Sequence, residues 1–240
     1  MIYKILPLIL FCTLSFKPIS SASGKVDKTD PKLLAANSKA SLELKCKSVY
    51  TAIDANNLSL PEFDVFFAAF QGYDQLKLQN KIDNDVLTVI DFSLSSTQER
   101  MWVIDMKNHK VILKSLVAHG KNSGIEFATD FSNENESYKS SLGFYLTGEV
   151  YQGKHGVSLR LDGIEYGIND MARDRAVVVH GASYVNKKLA KSQGYIGRSQ
   201  GCPAVPNEIA SHLIELIKDK SCIFIYHPSR SYVAKSKLVS

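Results

Sequence analysis

Between Gly194 and Pro206, three glycines and two prolines crowd around one cysteine. Glycine is too permissive and proline lacks the amide donor, so neither a regular helix nor a central strand runs through such a stretch. It folds as a shaped loop with Cys202 set in it. Upstream, Ala176-Val177-Val178-Val179 is a short apolar run ending on His180-Gly181. That is the pattern of a buried strand delivering a histidine at its end. A thiol on a glycine-shaped loop and an imidazole at a strand end are the parts of a cysteine nucleophile with its base. The rest of the chain is expected to hold these two together.

Residues 1–22 carry a targeting pattern. Lys4 supplies the positive start, Ile5 to Phe16 is apolar, and Ser20-Ser21-Ala22-Ser23 gives the small residues a signal peptidase needs. The apolar stretch falls short of the roughly 20 residues of a membrane span. Export with cleavage near Ala22 is therefore expected, with no stable membrane anchor and a secreted or periplasmic location in the cell envelope. Bulky Phe11 before Cys12 excludes a lipid acceptor there. The remaining chain is long enough for one good core. The whole chain has 29 Lys and Arg against 24 Asp and Glu, a formal net charge of +5. Loss of Lys4 and Lys17 with the leader would leave 27 against 24, or +3. The charges are scattered, and the excess is too mild to imply nucleic acid.

Residues 23–40 are polar and read as a linker. From 41 to 82 the pattern is helical: Leu42, Val49 and Ile53 fall near one face. Ser59-Leu60-Pro61-Glu62 has the form of a capping box, and Gly72 is placed to end the helix that follows. Phe63, Phe66, Phe67 and Phe70 stand at helical spacing and read as core. From 83 to 228 strands dominate, at Val86–Phe92, Arg100–Met106, Val111–Ala118, Gly143–Thr147, Val157–Leu161 and Cys222–Tyr226. Lys107 to Lys110 is a hairpin turn, and Pro206 to Lys218 an amphipathic helix. Residues 229–240 form a tail. No βα rhythm or internal repeat appears, so a mainly β domain is expected, closed or sandwich-like, with helices at its ends.

Besides Cys12 the cysteines are Cys46, Cys202 and Cys222, an odd number for an oxidising compartment. Cys202 is the free thiol. Cys46 and Cys222 either pair, tying the N-terminal helix to the last strand, or remain two buried thiols. The histidines show no ligand spacing, and there is no Cys-x-x-Cys or phosphate loop, so no metal or cofactor is expected. His109, His155, His212 and His227 read as surface or turn residues. His119 also stands before a glycine, at the end of Val117-Ala118, and is either a second site histidine or a structural one.

These residues resemble a known family. Ser199-Gln200-Gly201-Cys202 with His180-Gly181 resembles the active-site signature of the L,D-transpeptidase (YkuD-type) catalytic domain. The chain is more similar still to the divergent murein L,D-transpeptidase branch. Val89-Ile90-Asp91-Phe92-Ser93, Val117-Ala118-His119-Gly120, Phe131-Ser132-Asn133, Ser140 to Tyr145, Val179 to Ala182 and Gly197 to Ala204 carry the likeness, which covers about Val86 to Tyr226. It implies a small β-sandwich or barrel and an enzyme that cross-links peptidoglycan stem peptides. Cys202 would attack the L-to-D bond of a tetrapeptide stem, D-alanine would leave, and the thioester would pass to an acceptor amine. The resemblance gives His180 the role of base and the Gly181 carbonyl that of its orienting group. It places the amides of Gly201 and Cys202 in an oxyanion hole, within a loop that also carries Arg198, Ser199 and Gln200. Ser140, Ser141 and Tyr145 resemble residues lining the family's donor groove, or are structural; His119, if a site residue, is suited to touching substrate. Two positions depart from the signature. Gln200 stands where histidine is usual, and Ala204 where arginine is usual, with Arg198 on the other side of the loop.

Three readings follow. The first is L,D-transpeptidation. The second is hydrolysis by the same thioester route, as an L,D-carboxypeptidase or endopeptidase. The third is a non-catalytic wall-binding module, which would have no need for a thiol beside a base.

Overall fold

The computed structural model describes residues 31–239; the expected leader lies outside them. Residues 39–240 form one unit. Helix α1 spans Pro31–Ala52 and α2 spans Phe63–Leu78. The eight strands are β1 Val86–Asp91, β2 Met101–Asp105, β3 Lys110–Ser115, β4 Gly143–Gly153, β5 Gly156–Gly163, β6 Val178–Gly181, β7 Ala204–Val205 and β8 Cys222–Tyr226. Helices α3 Lys187–Gln193, α4 Asn207–Ile217 and α5 Arg230–Lys235 complete the described elements. Among the described residues, no helix is long and apolar enough to cross a membrane.

All eight strands join one sheet in the order β3-β2-β1-β8-β4-β5-β6-β7. Most neighbours are antiparallel; β1–β8 and β6–β7 are parallel. Central strands read as unbroken apolar runs because both faces are covered, and every residue of β1 is buried. The chain beyond β3 reaches the far edge of the sheet, where Ala118 bridges to Ala204 of β7. The sheet is thereby nearly closed, and the outer edge of β7 is paired rather than open. Helix α4 ties the halves together by packing on β5 and β6 and also on β1. The result is the mainly β architecture expected from the strand pattern.

Helix α2 lies on β1 and β8. Phe66 and Phe70 are buried, and the Phe144 ring stacks on Phe224 at 4.3 Å between centroids. Gly72 does not end this helix, which continues to Leu78. A Cβ at Gly72 would stand 2.1 Å from the Phe144 ring, so glycine serves here to let the helix approach the sheet. The capping box does not form either. Glu62 takes the N-cap position without a side-chain bond, and Ser59 instead accepts from Lys114 Nζ and, through its carbonyl, from Trp102 Nε1. Helix α1 starts at Pro31, inside the stretch expected to be linker. Proline fits a first helical turn, and the Leu33-Leu34-Ala35-Ala36 sequence propagates it.

The Cys46–Cys222 pairing is corrected by the structure, in which Cys46, Cys202 and Cys222 are all free. Cys46 sits on α1, whereas α2 is the helix that packs on β8. Both thiols are buried, and burial pushes Cys46 up to about 12 and Cys222 higher still. Both are therefore unreactive in the folded chain. Alkylating unreduced protein and mapping the labelled peptides should mark only Cys202 in the native state and all three after denaturation. Failure of Cys46 and Cys222 to label after denaturation would restore the bridge.

Candidate active site

Backbone pairing builds the cysteine loop. Strands β6 and β7 run parallel with His180 opposite Ala204, which sets the histidine beside the strand that follows the cysteine. A strap at residues 118–121 holds both shoulders of the loop. The Ala118 amide donates to the Ala204 carbonyl at 2.8 Å, the Ser199 amide to the His119 carbonyl at 2.9 Å, and the Lys121 amide to the Ser199 carbonyl at 2.8 Å. Leu116, Ala118, Ala182, Val185, Ile196 and Ala204 make a small apolar cluster beneath it. At the turn, Gly201 has φ +123°, and a Cβ there would stand 2.8 Å from the Lys139 carbonyl oxygen. Only glycine fits. Ser199 Oγ accepts from the Gly201 amide at 3.0 Å and donates to the Cys202 carbonyl at 2.7 Å.

His180 Nδ1 lies 2.8 Å from the Gly181 carbonyl oxygen. A carbonyl only accepts, so the proton sits on Nδ1 and Nε2 keeps its lone pair. Burial first, and then His155 and Lys154, hold the imidazole below its ordinary value, against the pull of the Gly181 carbonyl. It is therefore neutral near pH 7. The His155 ring stacks on it at 4.5 Å between centroids.

Cys202 is half-buried, and its Sγ donates to the Ala176 carbonyl at 3.7 Å. Burial raises its pKa, and four groups oppose that rise: the Val178 amide, Arg175, Lys154 and its own amide. The resting pair is a neutral thiol and a neutral imidazole. Both open on a cavity of about 570 Å³, lined also by Tyr138, Tyr151, Tyr184 and the exposed Gln200. Its charged lining is Lys154, Arg175 and Arg198 against Glu136, so the cavity favours an anionic guest. Arg198 braces the wall, donating to the carbonyls of Lys121 and Gly124. Among the described residues no cluster of His, Cys, Asp or Glu is arranged to hold a metal ion.

The structure places several expected site residues elsewhere. His119 is fully buried away from the cavity, with Nδ1 2.7 Å from Arg100 Nη2 and Nε2 3.3 Å from the Gly124 carbonyl oxygen. Its ring supports the strap. Ser140 Oγ accepts from the Gly120 amide and donates to the Gly201 carbonyl, which makes it a prop behind the loop. Ser141 donates to the Ser132 carbonyl, and the buried Tyr145 hydroxyl to the Ser141 carbonyl. None of these four lines the Cys202 cavity. The Gly201 amide is occupied by Ser199 Oγ, and the Cys202 amide stands beside its own thiol. Sequence reasoning passed over Arg175, Lys154 and Tyr184, left His155 as a surface or turn residue, and read Ala176 as strand, whereas it precedes β6 and accepts the Cys202 thiol. Those side chains belong to irregular segments, where periodicity gives no signal.

The fold and this cavity define a mainly β domain with a cysteine and a histidine on one wall. A model of the L,D-transpeptidase catalytic domain matches residues 58–226. The chain belongs to that family. Among solved structures, it is similar to an L,D-transpeptidase from Mycobacterium smegmatis at 16% identity, over 60% of this chain and 59% of that one, with a TM-score of 0.37. The L,D-transpeptidase from Stackebrandtia nassauensis is 11% identical over 77% of this chain and 78% of that one, with a TM-score of 0.36. L,D-transpeptidase 3 from Mycobacterium tuberculosis is 12% identical over 60% and 61%, with a TM-score of 0.35. The chain thus spans about three fifths of the length of the two mycobacterial structures. No curated protein matches it.

Burial, and then the Arg100 charge, hold His119 down at about 4 against an ordinary 6.5. Between those values the unfolded chain binds a proton that the folded chain refuses. Stability is therefore whole above pH 6.5 and falls as the pH drops toward 4, by on the order of 3 kcal/mol. His119→Gln keeps an acceptor for Arg100 and a donor for Gly124 without a titrating ring. Urea unfolding at pH 7 and pH 4.5 should show a smaller acid loss in that variant than in wild type. Equal losses would contradict the assignment.

Proposed function

We propose that this protein carries out L,D-transpeptidation on peptidoglycan stem peptides in the cell envelope, through a thioester on Cys202. The observation that supports it most is the tautomer of His180. With Nδ1 bound to the Gly181 carbonyl, Nε2 is the free base, and it belongs to the same cavity as the thiol. The family supplies the reaction class. In this reading Cys202 leaves the Ala176 carbonyl as substrate enters, and Nε2 takes the S–H proton. The thiolate attacks the carbonyl carbon of the L-to-D bond, and the Cys202 amide donates to the developing oxyanion. Collapse of the tetrahedral adduct breaks the C–N bond. The imidazolium returns its proton to the leaving amine, and D-alanine departs. An acceptor amine then attacks the thioester, His180 takes one of its protons, and the thiol is restored.

Hydrolysis would use the same residues with water as acceptor, so products decide between the two. Tetrapeptide muropeptides incubated with wild-type protein should lose D-alanine and yield cross-linked dimers by mass. Tripeptides without dimers would assign a carboxypeptidase. Cys202→Ala should lower product formation by at least about 10³-fold, and His180→Ala by about 10²–10⁴-fold. Product formation unaffected by Cys202→Ala would overturn the reading.

A further inference from the structure

Arg175 lines the Cys202 cavity and pairs with no carboxylate among the described residues. Nη1 donates to the Ser132 carbonyl at 2.8 Å and to Ser141 Oγ at 2.6 Å. Nη2 donates to the Lys139 carbonyl at 2.6 Å and to Ser137 Oγ at 3.3 Å. All four acceptors are neutral. The contrast with its near neighbour is sharp. Arg173 is gripped by Glu149 and Asp162, and Arg160 also takes Glu149. Glu149 and Asp162 are therefore committed to those arginines, and Glu136, the carboxylate lining the cavity, makes no ion pair with Arg175. A half-buried guanidinium held only by neutral groups is costly, because solvation is lost and no counter-charge replaces it.

Its position says what the missing counter-charge is. A Cβ on Gly201 would stand 3.2 Å from Nη2, so the guanidinium lies directly against the corner that precedes Cys202. The next residue, Ala176, is held at φ +52° and offers the carbonyl that receives the Cys202 thiol. Val178, two residues on, opens β6 and leads to His180. One short segment thus carries the charge, the resting acceptor and the strand that bears the base.

We propose that Arg175 is a positioning residue whose fixed charge balances the negative charge developing at Cys202, on the thiolate and then on the tetrahedral adduct. This rests on the thioester reading above. With the Gly201 amide taken by Ser199, the loop does not bring that donor to the site, and Arg175 supplies electrostatic support from behind it. Other charged or titratable groups face the same cavity: Lys154 and His155 from the β4–β5 turn, Glu136 and Tyr138 from the long loop before β4, Tyr151 on β4, His180 on β6, Tyr184 after it, and Arg198 on the cysteine loop. Arg198 bonds the strap carbonyls, and Lys154 and His155 sit on an exposed turn. Arg175 is the cation locked against Gly201.

The test is the pH dependence of Cys202 alkylation by iodoacetamide, read at the Cys202 peptide by mass, in wild type, Arg175→Met and Arg175→Lys. A scaffold role would not move the midpoint of that profile. Arg175→Met should raise it by about one pH unit and slow alkylation at pH 7 about tenfold, while Arg175→Lys stays close to wild type. A midpoint unmoved by Arg175→Met, or moved equally by both variants, overturns the proposal. Should Arg175→Met fail to fold, Ser137→Asp places a carboxylate on Nη2 and must raise the midpoint; an unmoved midpoint there overturns it as well. Turnover of tetrapeptide muropeptides by wild type is scored separately. Its absence beside a shifted profile would sink the thioester reading and leave the charge role standing.

Discussion

Three backbone hydrogen bonds, from residues 118–121 to the two shoulders of the cysteine loop, are what the rest of the structure depends on. They join one edge of the sheet to the other, and they fix Ser199 and Ala204 on either side of Cys202. The strap is secured from beneath by Arg100, which is fully buried. Its guanidinium donates to the carbonyls of Leu94 and Val117 and to His119, and lies 4.8 Å above the Phe92 ring. Burial pulls its pKa down to about 9, so it still carries its proton at neutral pH. A cation spent on carbonyls is a poor way to gain stability and a good way to fix one geometry, since each acceptor is met at a defined angle.

The same economy of charge governs the cavity. Burial keeps Cys202 protonated and His180 neutral, so no ion pair has to be desolvated at rest. The donors that favour a thiolate are already in place: two amides and the cations Arg175 and Lys154. Charge therefore appears only when a proton moves, in a site prepared for it. The loop is held by Ser199 inside, Ser140 behind and the strap alongside, so its backbone geometry is fixed before any guest enters the cavity.

Much of this was legible in the sequence, because its signals are local. Val86–Phe92 and Cys222–Tyr226 announce buried strands by their apolar runs, and the glycines and prolines around Cys202 forbid anything but a loop. His180 follows an apolar run too short to be anything but a strand. What the sequence hid depends on contacts between distant segments. Gly72 looks like a helix stop until the Phe144 ring is seen to occupy the space of its Cβ. His119, Ser140, Ser141 and Tyr145 sit in motif-like stretches, yet none lines the cavity: Ser140 props the loop, and Ser141 and Tyr145 bond neighbouring backbone. Arg175 lies in a charged, aperiodic run, Arg173-Asp174-Arg175, where nothing distinguishes a cavity wall from a solvated surface. By count Cys46 and Cys222 either pair or stay as buried thiols, and only the structure shows both free.

The central claim is that one thiol, Cys202, is the nucleophile and that His180 is the base that activates it. Acylation by a carbapenem, followed by intact mass and peptide mapping, tests this without any assumption about the natural acceptor. The account predicts a single adduct on Cys202 in wild type, none in Cys202→Ala, a much slower reaction in His180→Ala, and substantial acylation in His119→Gln. An adduct that persists in Cys202→Ala, or acylation of His180→Ala at the wild-type rate, would contradict it.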